Sequence, residues 1–350
     1  MELDQKIGML RDSLHNKKVI VAFSGGADST LIAYIVKEVA DNSLAVTVDN
    51  GVMSSECLEE AANIAKGIGI KHLIIKENLL ENKYFSSNPT NRCYICRNMI
   101  YSRLEEILKD YKFDFIVDGT NITDLMEDRP GVQVNLEKKI KTPLIQAGLT
   151  SEEVREYLNN LKLEYHPSTT CLATRIPTGL EITPKRINRI SYVENILRNI
   201  TGLKKVRVRD HDGLAIIEVE NLNKILDRGI IGYLDSEFKA VGFERVMLNI
   251  DEYRPSNNDL IVYKPCKDEK NKIMFEIELP YQISILDTCK ALAELGDVKC
   301  SEDIGVAMLE AEGSNITIFK KGKIVARRVK DQKEAQELLI KILPFIRRIK

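Results

Sequence analysis

Six residues, Ser24-Gly25-Gly26-Ala27-Asp28-Ser29, constrain this chain more than any others, because they join an apolar run, Val19–Phe23, to a helical pattern through Leu31–Val39. That order predicts a strand, a tight turn and a helix. Gly25 and Gly26 lack a Cβ, so the backbone can turn sharply and aim its N–H groups, with the Ser24 and Ser29 hydroxyls, at an anion on the helix N-terminus. The phosphate chain of a nucleotide is the natural occupant. A Walker A loop is excluded because no Gly-Lys-Ser/Thr follows, and a dinucleotide fingerprint because Ser29 stands where its third glycine belongs. Asp28 adds a carboxylate to an anion site, which makes chemical sense where Mg²⁺ bridges it to phosphate.

The pattern SGGxDS resembles the PP-loop ATP pyrophosphatases. That resemblance implies ATP split between its α- and β-phosphates, with AMP transferred to an oxygen of the substrate. The surrounding sequence agrees with such a fold. From Lys18 to about Ile145 apolar strands (Val19–Phe23, Leu44–Val48, His72–Ile75, Phe115–Val117) alternate with helical stretches (Leu31–Val39, Glu56–Ile68, Ile100–Leu108). Alternation of this kind predicts right-handed βαβ crossovers and a parallel sheet, with ligands beyond the carboxyl ends of the strands. Three signals fall at those ends: Ser24–Ser29, Asp49-Asn50-Gly51, and Asp118-Gly119-Thr120-Asn121 with Asp124.

At 350 residues the chain is long enough for two or three domains. We expect an α/β fold: a PP-loop parallel sheet with helices on both faces over residues 1–162, an α+β unit over 163–260, and a small α+β C-terminal extension over 261–350. The second unit begins after a helix at Ser151–Leu161 and a Pro/Ser/Thr-rich loop, His166–Leu180; a helix at Pro184–Ile200 and strands at Lys205–Arg209 and Ala215–Val219 follow. In the third, strands at Ile273–Leu279 and Ile304–Leu309, a helix at Ile283–Leu295, a hairpin at Lys320–Lys323 and a helix at Glu334–Ile346 predict a sheet with one face covered by helices. Net charge is -1, so no global field advertises nucleic acid. The charged N-terminus and the want of a membrane-length apolar run predict a cytoplasmic protein with no membrane partner. Its seven cysteines are then expected as thiols or metal ligands rather than a disulfide framework.

Cys93-Tyr-Ile-Cys96 brings two thiols within reach of one metal or cluster, and Arg92 and Arg97 beside them favour thiolates. Cys171 supplies a third from a loop able to fold over the ATP edge. Cys57, Cys266, Cys289 and Cys300 lack metal spacing and are expected as structural thiols. Four ordered segments, Gly119-Thr-Asn-Ile-Thr-Asp124, Thr142-Pro-Leu-Ile-Gln-Ala-Gly-Leu-Thr-Ser-Glu-Glu-Val-Arg155, Cys171-Leu-Ala-Thr-Arg-Ile-Pro-Thr-Gly179 and Val206-Arg-Val-Arg-Asp-His211, resemble the LarE-type ATP-dependent sulfur transferases over about residues 10 to 255.

The resemblance implies adenylation of a carboxylate of a pyridinium biscarboxylic acid mononucleotide, precursor of a nickel-pincer cofactor, followed by replacement of oxygen with sulfur. It maps ATP binding onto Ser24, Gly25, Gly26, Ala27, Asp28, Ser29, Asp49, Gly119, Thr120, Asn121 and Asp124, and catalysis onto Cys171, Asp28 and Arg175. Arg175, Arg207 and Arg209 match substrate-phosphate arginines, although on an alternating strand the last two also fit a solvated face. Glu194 and Glu218 fall near positions where the family carries acidic metal or substrate ligands, and so match a divalent-metal site, although either also fits a surface glutamate. Cys93, Cys96 and Cys171 match the version in which three cysteines hold a [4Fe-4S] cluster, leaving one iron open to hydrosulfide. The implied cofactors are that cluster, ATP and Mg²⁺; the implied partners are a small carboxylate substrate, sulfide or another sulfur donor, and a second copy of the chain in a homo-oligomer.

Three departures from the family pattern stand out: Thr174 for serine, Gln146 for glutamate, and the extra C-terminal unit. Other readings remain open at this level. A Cys₃His zinc site would use His166, and a sacrificial mechanism would consume Cys171 alone. A PP-loop tRNA thiolase keeps tRNA as a partner, with Lys320–Lys323 and Arg327-Arg328 as its basic patch. A nucleotide sensor would bind AMP and carry a cluster without chemistry.

Overall fold

The computed structural model describes residues 2–127, 129–166, 170–251, 261–265, 272–311 and 313–349. Strands β1 (Lys18–Ala22), β2 (Asn42–Asp49), β3 (Lys71–Lys76) and β4 (Phe115–Val117) form a parallel sheet in the order β3-β2-β1-β4. A parallel strand between two helical layers must be apolar on both faces, and Val19, Ile20 and Val21 of β1 are all wholly buried. Val19 and Val21 pack with helices Leu3–Leu14, Ala27–Val39 and Ser151–Asn160, while Ile20 faces Tyr101 and Leu104 of helix Arg92–Asp110 on the other side. This is the α/β architecture with helices on both faces that the sequence predicts.

The strand order matters for the site. The chain runs outward from β1 to β3 and then returns to place β4 on the other flank of β1, so connections diverge from the ends of β1 and β4. Such a switch point opens a crevice at the strands' carboxyl ends. Ser24–Ser29 and Asp118–Asp124 border it, with Asp49 at the end of β2.

Strands β5 (Val206–His211), β6 (Leu214–Val219) and β7 (Arg245–Leu248) form a second sheet, antiparallel between β5 and β6 and parallel between β6 and β7. Helices Pro184–Thr201 and Arg228–Ala240 cover it through Val193, Leu197, Leu234 and Phe238. The helix Arg228–Ala240 and the four-residue β7 go beyond the sequence expectation, since Gly229 and Gly232 blur the helical pattern.

Strands β8 (Ile261–Pro265), β9 (Ile273–Glu278), β10 (Asp297–Ser301), β11 (Val306–Ala311), β12 (Ser314–Phe319) and β13 (Lys323–Val329) form an antiparallel sheet in the order β10-β11-β12-β13-β9-β8. Helices Ile285–Leu292 and Gln332–Ile342 share a core with β9 and β11–β13, as expected. That core also takes in Ile122, with Leu125, Met126 and Ile145 packed against it. The Tyr281 hydroxyl donates to the Leu125 carbonyl at 2.6 Å. The C-terminal sheet therefore abuts the helix Ile122–Met126 that follows the loop after β4.

Two expectations about cysteines need correction. Cys289 and Cys300 form a disulfide rather than remaining separate thiols, because helix Ile285–Leu292 turns back so that β10 runs beside it. Helix Arg92–Asp110 begins well before Ile100, so Cys93 and Cys96 lie on its opening turns, three residues apart on one side. Cys266 lies outside the described residues. Among the described residues no helix is long and apolar enough to cross a membrane.

Candidate active site

The glycine loop is shaped for an anion. Gly26 caps helix Ala27–Val39 in an extended conformation, and no side chain caps the helix's first turn. The Ser24 and Ser29 hydroxyls stand 3.2 Å apart, the Ser24 amide donates to Ser29 Oγ at 3.3 Å, and the Gly26 amide donates to Ser24 Oγ at 3.3 Å. Gly25 has φ +75°, and a Cβ there would lie 3.1 Å from Ala61 Cα, so both its conformation and its space require glycine. A Cβ on Gly119 would lie 2.9 Å from the Ser29 amide nitrogen and 3.0 Å from Asp28 Cβ. Only glycine lets the loop after β4 lie directly on the loop after β1.

Asn121 ties the two loops together: its Nδ2 donates to Asp28 Oδ1 at 2.9 Å and to Ser151 Oγ at 3.0 Å. Asp124 accepts from the Asn121 amide at 2.9 Å and pairs with Arg129 at 2.6 Å. Burial, reinforced by the neighbouring Asp124 charge, pushes the Asp28 carboxyl up to about 6. Asp124 is also raised, by burial, against the pull of Arg129. Two half-frustrated carboxyls at the mouth of an anion loop are suited to a divalent cation, which would satisfy both. Asp49, at the end of β2, accepts from the Gly51 amide at 3.3 Å.

Behind these loops, Arg97 donates to Asp118 Oδ2 at 2.6 Å and to Thr120 Oγ1 at 2.8 Å, and the Thr120 amide donates to Asp118 Oδ1 at 2.8 Å. Burial alone would raise the Asp118 carboxyl; the Arg97 guanidinium and the Thr120 hydrogen bonds outweigh it and hold it below the ordinary carboxylate range. Because Arg97 follows Cys96 directly, this network fixes the cysteine-bearing helix to the ATP edge.

Cys171 precedes the short turn Leu172–Arg175, and the Leu172 amide donates to the Val52 carbonyl at 2.9 Å. That bond pins the Cys171 loop to the connection after β2. On the same connection, Asn50 Nδ2 lies 3.9 Å from Cys96 Sγ. Cys93, Cys96 and Cys171 are all free thiols. Burial raises Cys96, and the charges of Cys171 and Cys93 raise it further; burial and Cys93 likewise raise Cys171, opposed by Arg92 and Arg175. The three thiols are thus close enough to act on one another. Their chemistry suits a thiolate-bound cluster. Among the described residues, however, no group of three His, Cys, Asp or Glu side chains is arranged to hold a metal ion.

The basic and acidic candidates of the second unit gather around the same turn. Arg175, 3% exposed, donates from Nε to Glu194 at 2.9 Å, and Glu194 also accepts from the Val208 amide at 2.9 Å. Arg209 pairs with Glu218 at 3.0 Å and donates to the Thr174 carbonyl at 3.0 Å. Thr174 Oγ1 donates to the Cys171 carbonyl at 2.7 Å and accepts from Arg175 at 2.9 Å, so threonine performs the hydroxyl's job here. Arg207 stands opposite Glu218 in the β5–β6 ladder, on the same strand face as Arg209. Glu194 and Glu218 thereby hold arginines in place. A cavity of about 250 Å³ between the units is lined by Asp49, Ser55 and Leu58 on one side and Leu172, Asn188 and Ser191 on the other.

The sequence reading passes over three features. Arg129, a few residues beyond Asp124, and Ser151, the first residue of helix Ser151–Asn160, join the Asp28–Asn121 cluster without having been assigned a role. His166 faces Cys57, with its Nε2 3.4 Å from that sulfur and its Nδ1 paired with Glu60, rather than joining the other cysteines. Ser54, whose hydroxyl accepts the Cys57 amide at 3.4 Å, is the N-cap of the helix that the sequence starts at Glu56, a cap the sequence reading leaves unnamed.

A glycine loop between β1 and its helix, at the switch point of a parallel sheet, defines a PP-loop protein of the ATP-using class. The family model described as "Queuosine biosynthesis protein QueC" matches residues 18–105. An uncharacterized protein of Synechocystis is 32% identical over 268 residues, covering 75% of this chain and 100% of that protein. An uncharacterized protein of Methanocaldococcus jannaschii is 33% identical over 247 residues, 70% of this chain and 94% of that protein. Pyridinium-3,5-bisthiocarboxylic acid mononucleotide synthase of Lactiplantibacillus plantarum is 28% identical over 243 residues, 68% of this chain and 87% of the enzyme. The chain belongs to the LarE-type family of the PP-loop superfamily.

Proposed function

We propose that the chain is an ATP-dependent sulfur transferase that adenylates a carboxylate of a pyridinium-3,5-biscarboxylic acid mononucleotide and replaces its oxygen with sulfur. The observation that supports this reading is the attachment of the Cys171 loop to the connection after β2 through the Leu172–Val52 hydrogen bond of 2.9 Å, with Cys96, Cys93 and Cys171 near enough to feel one another's charge.

A carboxylate oxygen is a poor leaving group, and esterification by AMP makes it a good one. In the first step the substrate oxygen attacks the α-phosphorus and pyrophosphate departs. Backbone N–H groups of Gly25–Ser29 and the Ser24 and Ser29 hydroxyls receive its charge. Mg²⁺, held by Asp28 with Asp124 nearby, would neutralise the same phosphates. Asn121 keeps Asp28 aimed at them through their 2.9 Å bond. In the second step sulfur attacks the acyl carbon and AMP leaves. Arg175 and Arg209, held by Glu194 and Glu218, orient a phosphate of the substrate. A [4Fe-4S] cluster on Cys93, Cys96 and Cys171, when bound, would present hydrosulfide as that nucleophile.

The test is anaerobic incubation with ATP, Mg²⁺, hydrosulfide and the pyridinium biscarboxylate, followed by assay of pyrophosphate, AMP and sulfur in the product. Alanine at Cys93, Cys96 or Cys171 should stop sulfur incorporation and lower bound iron while pyrophosphate release continues. Release of no pyrophosphate with this or related carboxylates would sink the adenylation step, and loss of sulfur from Cys171 after one turnover would replace the cluster by a sacrificial thiol.

A further inference from the structure

Cys57, expected from its spacing as a structural thiol, has polar neighbours at its sulfur. It belongs to none of the apolar clusters that make up the described core. It is in no disulfide and is half-buried, and it sits in the first turn of helix Ser55–Ile68, where the helix dipole favours a thiolate. The Ser54 hydroxyl donates to its sulfur at 3.1 Å. His166 Nε2 lies 3.4 Å from the same sulfur, and Glu60, one helical turn beyond Cys57, pairs with His166 Nδ1. The Glu60 carboxylate meets Nδ1 as a charge contact rather than an aligned hydrogen bond; its charge favours the proton on that nitrogen and leaves Nε2 to accept from the thiol. Nucleophile, base and orienting carboxylate in that sequence are the signature of an activated thiol.

The position of this group is set by the glycine loop. The His166 amide donates to the Gly25 carbonyl at 2.7 Å, and Gly26 and His166 form a β-bridge. Ser55 and Leu58, flanking Cys57 on its helix, line the cavity that Leu172 closes from the Cys171 loop. The His166 side chain is 16% exposed and Glu60 49%, so the imidazole is shielded, and Cys57 itself is half-buried. Among the described residues this trio is not arranged as a metal site.

We propose that Cys57, His166 and Glu60 form a second, thiol-based site that accepts sulfane sulfur from a low-molecular-weight hydropersulfide. The choice of substrate class rests on the sulfur-transfer reading above; the activated thiol does not. His166 Nε2 takes the Cys57 proton, and the thiolate attacks the terminal sulfur of R–S–SH. The new Cys57 S–S bond forms as the donor S–S bond breaks, and R–S⁻ leaves with the proton from His166. The balance is Cys57–SH plus R–S–SH giving Cys57–S–SH plus R–SH, with no net oxidation.

The experiment treats the anaerobic full-length protein with glutathione hydropersulfide and locates added sulfur by peptide-resolved mass spectrometry. Cys57 should gain one sulfur atom, and His166→Gln should slow both that gain and iodoacetamide alkylation of Cys57 roughly 10- to 100-fold. Glu60→Gln should move the pH profile of alkylation, which also feels Arg198 and Glu56 beside the site. No sulfur on Cys57, or an alkylation rate unchanged in a His166→Gln protein of normal melting temperature, would overturn the proposal. Pyrophosphate release, measured separately on the wild-type chain, tests the adenylation reading, so either can fail while the other stands.

Discussion

Asp28 is a carboxyl in a place that resists its charge, raised from 3.8 to about 6 by burial and by Asp124. A raised folded-state value means that the native protein holds this proton more tightly than the unfolded chain. Stability from this residue is therefore highest below about pH 4, falls as pH rises toward 6, and is level above it. Asp28→Asn should accordingly stabilise the nucleotide-free protein at pH 7 by about 1–3 kcal/mol and leave it unchanged at pH 4, read as the difference in melting temperature. The same variant should lose pyrophosphate release, and wild-type activity should fall as pH drops through about 6. A variant less stable at pH 7 would contradict this account. Gly119→Ala places a methyl group 2.9 Å from the Ser29 amide, against backbone that cannot yield without opening the loop. It should cost about 1–3 kcal/mol and weaken ATP binding by calorimetry, with secondary structure retained. Asp28 and Gly119 were legible in the sequence because each belongs to a short motif at a strand end. The partnership of Cys57 with His166 was not, since the two are separated by 109 positions and only the tertiary fold joins them.

At the scale of elements, the helix Arg92–Asp110 and the residue just after β4 are joined by a largely buried ion pair, Arg97–Asp118 at 2.6 Å. It ties the helix that carries Cys93 and Cys96 to the carboxyl end of β4. Removing one member leaves the other charge poorly solvated, although Arg97, with its side chain 24% exposed, recovers part of that loss from water. Asp118→Ala should cost about 2–4 kcal/mol by urea unfolding and lower the iron bound per chain after anaerobic reconstitution. Unchanged iron with lowered stability would show that the helix holds its place without β4. The parallel strands were readable because apolar runs of strand length alternate with helical periodicity. The start of this helix was obscured by polar residues, Arg92, Arg97 and Asn98, on turns that face the site rather than the core. Helix Arg228–Ala240 was hidden by its glycines, and the Cys289–Cys300 bond by a helix-to-strand reversal that spacing alone does not reveal.

For the molecule as a whole, the C-terminal sheet belongs to a chain longer than one relative: 75% of this chain covers the Synechocystis protein over its full length. Here the sheet has a consequence for the ATP edge, because its core encloses Ile122 and packs Leu125, Met126 and Ile145. Ile122 is 1% exposed and directly follows Asn121, the residue that holds Asp28. Uncovering side chains of this kind forfeits about 1.5–3 kcal/mol for each one fully buried. A chain ending at residue 260 should therefore melt lower than the full chain and bind ATP roughly 10-fold more weakly, because the loop from Gly119 to Asp124 loses its backing. Tyr281→Phe in the full chain, which removes only the 2.6 Å bond to the Leu125 carbonyl, should cost about 1 kcal/mol and move ATP affinity in the same direction. Equal ATP affinity in the full, shortened and Tyr281→Phe proteins, by calorimetry, would mean that the sheet rests on the helix Ile122–Met126 without setting its position.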